Sequence, residues 1–315
     1  MPVLLLLLAL APAYCAPAAA VRADPQRAYF CEDIDKPFFA ETSPGVFRSQ
    51  RPQSMPVQFR LPKPAGIKRV FVLGESVAAL LDRGEIALHG KKWSMLDSLG
   101  LGGLAAPGAG GLEIINCGMG GYESVRIYRV LREILAYGPD LVVILSGNQE
   151  GSRGQDCPGM DFMLRRADLR LYERLYSLGN DPQQAWKKAS LRFHSGMLKK
   201  MAEAAKKAGV PVVFCTLPAN YADMPSRNLP QFTSPQFSEG YKLFYERRYQ
   251  EAYDRFSAGL AVAPRDHFLH YYAGKALQKL GRDEEAAGQL LEALDYDSDM
   301  TRASPARNAA IRRAA

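Results

Sequence analysis

Three short segments of the sequence combine a hydroxyl, glycines and a side-chain amide. They are Gly74-Glu75-Ser76, the stretch NCGMGGYES from Asn116 to Ser124, and SGNQE from Ser146 to Glu150. Together they hold the parts of a serine nucleophile with an oxyanion hole, that is, a hydroxyl that attacks a carbonyl and N–H donors that stabilise the oxyanion. Each segment alone is a weak signal, because glycines often follow strands. The order Ser, Gly, Asn at successive segments is much more specific.

Each of these segments follows an apolar run of the kind that forms a buried strand. The runs are Arg69 to Leu73, Leu112 to Ile115, PDLVVILSGN and, as a fourth, GVPVVFCTLPAN, and between them lie the helical patterns ESVRIYRVLREILAYG and PQQAWKKASLRFHSGMLKKMAEAAKKAG. Continuous apolar strands that alternate with helices predict an α/β fold, a parallel sheet sandwiched by helices. Because the carboxyl ends of parallel strands share one edge, the three polar segments should lie together.

The stretches VLGES, INCGMGGYES and LSGNQE resemble the first three sequence blocks of the SGNH (GDSL-type) hydrolases, over about residues 66 to 220. The resemblance implies a flavodoxin-like α/β fold and an ester substrate, with neither cofactor nor metal. It implies Ser76 as the nucleophile. The oxyanion hole would be formed by the N–H of Ser76, the N–H of Gly121 and the side chain of Asn148. The family usually has Asp where Glu75 stands and roughly where Glu150 stands, so both positions depart mildly from its pattern.

The general base of the family, in a C-terminal Asp-x-x-His block, is not found in this sequence. His89 and His194 lie between the first and later strands, in the wrong order. Asp266 to His270 is one residue too long and falls in a helical repeat, so His267 and His270 are interpreted as structural. We therefore expect this chain to bind esters poorly and to turn over slowly.

Residues 235–298 contain a repeat with a period of 34. Glu251 corresponds to Glu285 and Phe256 to Leu290, each at that shift. The period resembles tetratricopeptide repeats, which implies a protein partner that binds through them. Two units are few for a freestanding array, so they should pack on the hydrolase-like domain. The alternative is a plain helical hairpin with no partner.

Three further stretches, KPAGIKRVFVLGES, YGPDLVVILSGNQE and SPARNAAIRRAA, resemble bacterial SGNH hydrolases that carry an N-terminal membrane segment and a tetratricopeptide insertion. In that class the chain returns to the hydrolase domain after the repeats. The resemblance implies that residues 299–315 begin this return and that the chain is C-terminally incomplete. The alternative is a natural pseudo-enzyme, a catalytically inactive scaffold that recruits a partner through the repeats.

The sequence ahead of the first polar segment divides in two. The apolar residues 1–21 predict a signal peptide or a membrane anchor, with membrane association through residues 2–21. Residues 22–65 are expected to form an extension before the α/β domain at 66–232. A leader of this kind indicates export or membrane anchoring, and the resemblance to bacterial SGNH hydrolases implies the bacterial periplasm or the periplasmic face of the inner membrane. The alternative is an apolar extension or a misassigned start. In an exported chain Cys31 and Cys157 could pair. The net charge of +7 is spread along the sequence without a basic stretch, so no nucleic-acid partner is expected.

Overall fold

A computed structural model of the chain describes residues 36–51, 57–80, 86–88, 91–93, 111–150, 182–226, 234–297 and 302–315, together with single positions between 171 and 178. The predicted leader, the predicted Cys31–Cys157 pair and His89 lie outside the described residues. Within these ranges, no helix combines the length and the apolar character that crossing a membrane requires.

The elements are numbered here in chain order. The strands are β1 (Phe39–Ser43), β2 (Val46–Ser49), β3 (Gln58–Arg60), β4 (Lys68–Gly74), β5 (Ile86–Leu88), β6 (Lys91–Trp93), β7 (Leu112–Gly118), β8 (Leu141–Leu145) and β9 (Val212–Phe214). The α-helices are α1 (Ser76–Ala79), α2 (Ser124–Ile134), α3 (Pro182–Lys207), α4 (Pro235–Tyr245), α5 (Tyr249–Val262), α6 (His267–Lys279), α7 (Asp283–Tyr296) and α8 (Pro305–Ala314).

The four apolar runs form one parallel sheet in the order β7-β4-β8-β9. Its central strand β4 alternates between the two faces. Phe71 and Leu73 pack under α2, α3 and α8, whereas Val70 and Val72 pack on the opposite face with α1. Helices therefore cover both sides, and the predicted α/β class with a parallel sheet is confirmed. Helix α2 continues as a 3-10 turn at Leu135–Tyr137 that ends at Gly138 in the left-handed conformation, which glycine adopts without strain.

A small antiparallel sheet of β1, β2 and β3 precedes the parallel sheet. Its aromatic side chains enter the same core, because the Phe39 and Phe59 rings lie 5.0 Å apart and the Phe39 and Phe71 rings 6.3 Å apart. The region expected to be a simple extension thus contributes part of the hydrophobic core. Fully buried Arg69 connects the two sheets: it pairs with Glu113 and donates to the carbonyl oxygens of Arg60 and Tyr137.

Helices α4 to α7 pack consecutively against one another. The 34-residue period of the sequence is also a structural period. A Cβ on Gly240 would lie 2.6 Å from the ring of Phe256, and a Cβ on Gly274 would lie 2.7 Å from Leu290. The two residues of the second pair lie 34 positions after the corresponding residues of the first pair. The ion pairs at the start of α5 and α7, Arg248–Glu251 and Arg282–Glu285, are separated by the same 34 residues. The same close helix crossing is therefore made twice.

The helical hairpins contact the α/β unit through hydrogen bonds as well as apolar surface. Lys187 of α3 donates to the carbonyl oxygens of Leu294, Asp295 and Asp297 at the end of α7. An ammonium group at this position satisfies carbonyls that have no partner within their own helix. On the other side of the contact, Lys275 donates to the carbonyl of Ala222.

Candidate active site

The carboxyl ends of β4, β7 and β8 lie side by side. Gly74 at the end of β4 pairs in register with Gly118 of β7 and with Leu145 of β8. Beyond the strands, the Met119 N–H donates to the Gly74 carbonyl at 3.0 Å, and the Glu75 N–H donates to the Leu145 carbonyl at 3.3 Å. The structure thus brings the three polar segments to one edge of the sheet, as their positions in the sequence predict.

Two glycines allow the segments to approach this closely. A Cβ on Gly74 would lie 2.3 Å from the Leu145 carbonyl oxygen, and a Cβ on Gly118 would lie 2.2 Å from the backbone nitrogen of Ala79. No side chain fits at such distances, so glycine is required at both positions. Asn116 strengthens the contact, because its amide donates to the Ala78 carbonyl and accepts from the Gly118 N–H. The end of β7 is thereby fixed to helix α1.

Ser76 is the first residue of α1 and is half-buried. Gly121 lies in the turn between β7 and α2 with a φ of 74°, a left-handed conformation that favours glycine, and it is half-buried too. Asn148 lies in the turn after β8, also half-buried. All three predicted site residues therefore lie in the segments that follow β4, β7 and β8 at the same sheet edge.

Glu75 holds the turn that carries Asn148. Its buried carboxyl group accepts from the N–H groups of Gly147, Asn148 and Gln149. Three successive backbone donors on one carboxyl group fix both the position and the direction of that turn. The residue next to the predicted nucleophile is thus the one that orients the predicted oxyanion-hole loop.

The charge on Glu75 is disfavoured in the folded protein. Burial raises its pKa to about 8, and the nearby Glu150 carboxyl adds to this increase through like-charge repulsion, while the three N–H donors only partly oppose it. Buried Glu150 in turn accepts from the Ser124 N–H at 2.5 Å and from the Ser124 hydroxyl at 2.8 Å. Because Ser124 begins α2, Glu150 ties the third segment to the second.

A buried cation lies behind the same turn. Arg307 of α8 donates to the Ser190 hydroxyl at 2.9 Å, and its side chain passes so close to Gly147 that a Cβ there would lie 3.0 Å from Arg307 Cδ. Burial lowers the pKa of Arg307, and the charges of Glu150 and Glu75 oppose this decrease. The guanidinium group therefore offsets part of the negative charge that the two carboxyl groups would create.

The Asn148 side chain has a defined direction. Its Oδ1 accepts from the N–H of Ala303 at 2.8 Å. A peptide N–H can only donate, so the oxygen end of the amide must face Ala303 and the NH₂ end faces the other way. Among the described residues none accepts a hydrogen bond from this NH₂ group, which is the donor that an oxyanion hole needs.

Two of the described histidines, His194 and His270, bond to groups other than the three predicted site residues. His194 is fully buried, with its Nε2 3.2 Å from the Ser146 hydroxyl, and burial lowers its pKa well below the usual value. The two ring nitrogens of His270 bond to Gln289 and to the Pro264 carbonyl. His267 is the first residue of α6 in the helical hairpins. In the part of the chain that the structure describes, no cluster of His, Cys, Asp and Glu could hold a metal ion.

Four residues of this site were not assigned a role from the sequence. They are Glu75, which binds the turn of residues 147–149, Asn116, which binds Ala78 and Gly118, and the residues Arg307 and Ala303. A signal existed for Asn116, which is a polar residue inside an otherwise apolar strand and so needs buried partners. The contacts of Arg307 and Ala303 join residues far apart in the sequence and leave no local pattern.

No protein-family model matches the chain, and the sequence shows no significant similarity to any curated protein with which it was compared.

Proposed function

We propose that the protein is a serine hydrolase of the SGNH (GDSL) type that acts on ester bonds, with carbohydrate or lipid esters as substrate classes. The observation that carries the proposal is the fastening of the segments that hold Ser76, Gly121 and Asn148 at one sheet edge, with an Asn148 NH₂ group that donates to none of the described residues. A hydroxyl beside preorganised donors is the arrangement that acyl transfer requires. Within the same proposal, the helical hairpins are two tetratricopeptide-like repeats that recruit a protein partner.

The reaction would proceed through an acyl-enzyme. Ser76 Oγ forms a bond to the ester carbonyl carbon, and the charge on the carbonyl oxygen is stabilised by the Asn148 NH₂ group and by the N–H groups of Gly121 and Ser76. The ester C–O bond then breaks, and the alcohol leaves with the proton that the Ser76 hydroxyl gave up. Water attacks the acyl group in the same way and releases the acid. The histidine that would carry these protons is not identified in this sequence.

The test is covalent labelling with a fluorophosphonate probe in the presence and absence of imidazole. Free imidazole can take the serine proton in place of a histidine side chain, so labelling should rise with imidazole concentration. Ser76→Ala should abolish the signal, and Ser257→Ala on helix α5 should leave it unchanged. Equal labelling of the Ser76→Ala variant would contradict the proposal. A folded protein without labelling at any imidazole concentration would instead favour the inactive scaffold that recruits a partner.

A further inference from the structure

The Asn148 amide is held by a residue 155 positions further along the chain. Ala303 donates its N–H to Asn148 Oδ1 at 2.8 Å and is almost completely buried. It packs with Val72 and Leu217 in the apolar cluster on the second face of the sheet. The partner of the predicted oxyanion-hole side chain therefore comes from the segment that follows the helical hairpins.

This contact decides which end of the amide faces the site. An asparagine side chain can rotate and present either its oxygen or its NH₂ group, and only the NH₂ group stabilises an oxyanion. If Asn148 flipped, its NH₂ group would meet the Ala303 N–H, leaving a buried donor unsatisfied. The Ala303 N–H thus selects the orientation that catalysis needs.

Arg302, the residue directly before Ala303, is anchored by its side chain. Its guanidinium group donates to Asp297 Oδ2 at 2.6 Å, to the Asn220 carbonyl at 3.4 Å and to the Met224 carbonyl. Asp297 directly follows α7 and is itself buried, and its other carboxyl oxygen accepts from the Ser226 hydroxyl at 2.7 Å. The last helix of the hairpins and the partner of Asn148 are therefore joined through one ion pair.

We propose that Arg302 is a positioning residue: through Asp297 and Ala303 it couples the helical hairpins to the orientation of the Asn148 amide. The proposal deepens the hydrolase function proposed above and rests on it. Its consequence is that a partner bound to the hairpins can change the rate of acyl transfer, because any shift of Asp297 moves the group that orients the oxyanion donor.

The first experiment is a double-mutant cycle read out as the rate of fluorophosphonate labelling in imidazole. Loss of one oxyanion donor slows such reactions by roughly 10²- to 10³-fold, so Asn148→Ala should fall in that range and Arg302→Ala should give a loss of about tenfold. In the Asn148→Ala background, Arg302→Ala should change the rate less than about twofold. Arg282→Ala removes an exposed ion pair of α7 and serves as the matched control, with no expected effect.

An equal loss from Arg302→Ala in both backgrounds would overturn the proposal, because it would mean general damage to the fold. Should Arg302→Ala fail to fold, Ser226→Ala is the second variant. It removes the hydrogen bond from the Ser226 hydroxyl to Asp297 Oδ1 and should show the same dependence on Asn148 with a smaller loss.

The second experiment is hydrogen exchange at the Ala303 amide, which does not depend on activity. Asn148→Asp keeps an acceptor for Ala303 and should retain protection, while Asn148→Ala and Arg302→Ala should lose it. Unchanged protection in the last two variants would overturn the proposal. A wild-type chain with a protected Ala303 amide but no Ser76 labelling would remove the hydrolase function and the proposed coupling to catalysis, while leaving the hydrogen bond itself intact.

Discussion

Replacement of Glu75 by glutamine tests how the charge state of the buried Glu75 carboxyl group affects the stability of the fold. Glutamine has nearly the same shape as the protonated carboxyl group, but its NH₂ group cannot accept a hydrogen bond. It therefore keeps only one of the two oxygens that bind the N–H groups of residues 147–149 and leaves one of these donors unpaired at every pH. It does not titrate, so it removes both the cost of burying a charge and the repulsion from Glu150. The lost acceptor has the same effect at every pH, so the contribution of Glu75 ionisation is read from the pH dependence of the difference in the free energy of unfolding between variant and wild type.

The sign follows from the two pKa values. In the folded protein the pKa of Glu75 is raised to about 8, above its ordinary value of 4.5. Stability from this group is then fully present below about pH 4.5 and is lost as the pH rises through about 8. The difference between the two pKa values sets a ceiling on the order of 5 kcal/mol for the loss. Because glutamine leaves one N–H donor unpaired, the variant should be less stable than the wild type by about 1–3 kcal/mol near pH 5. The difference should shift in favour of the variant as the pH rises to 9, by up to the ceiling given above.

The assay is urea denaturation of both proteins at several values between pH 5 and pH 9, followed by tryptophan fluorescence, because Trp186 lies in α3 of the α/β unit. The difference between variant and wild type at each pH cancels the titration of the groups that do not interact with Glu75. A variant that is less stable by the same amount at every pH would refute the reasoning, since it would show that the three N–H donors outweigh burial and that the carboxylate is ionised throughout.

Two further substitutions test the packing that brings the site together. Gly118→Ala should destabilise the protein by roughly 3 kcal/mol or more, because the new Cβ would lie 2.2 Å from the Ala79 nitrogen. Gly288→Ala on α7 meets nothing within 4 Å and should stabilise the protein by about 1 kcal/mol. Both effects are measured as shifts of the urea midpoint, and similar shifts from the two variants would contradict the steric argument. Arg69→Met should cost roughly 3 kcal/mol in the same assay, because it leaves the Glu113 carboxylate and two carbonyl oxygens without their donor. A neutral result would show that water replaces the guanidinium group.

The sequence was sufficient to predict the parallel sheet because its strands are buried on both faces and so read as apolar runs. The helix ends at Gly138 and Gly209 could also be predicted from the sequence, since both glycines adopt a left-handed conformation that other residues rarely take. The small sheet of residues 39–60 was not predicted. Its strands are three to five residues long, and what holds them is the packing of aromatic rings on Phe71, a contact with no local pattern.

For the candidate site, the sequence predicted which turns would meet, because parallel strands direct their carboxyl ends to one edge. It could not predict what fixes those turns. Glu75 appeared only as a departure from a family pattern, yet its carboxyl group binds three N–H groups of the Asn148 turn. Arg307 and Ala303 reach the site from after the helical hairpins, and contacts over such separations depend on the whole fold.

The most direct test of the central claim is a crystal structure of the protein after reaction with a fluorophosphonate in imidazole. The account predicts a phosphonyl group on Ser76 Oγ, with its oxygen about 3 Å from Asn148 Nδ2 and from the N–H groups of Gly121 and Ser76. A phosphonyl group on another residue, or one whose oxygen points into solvent away from Asn148, would contradict it.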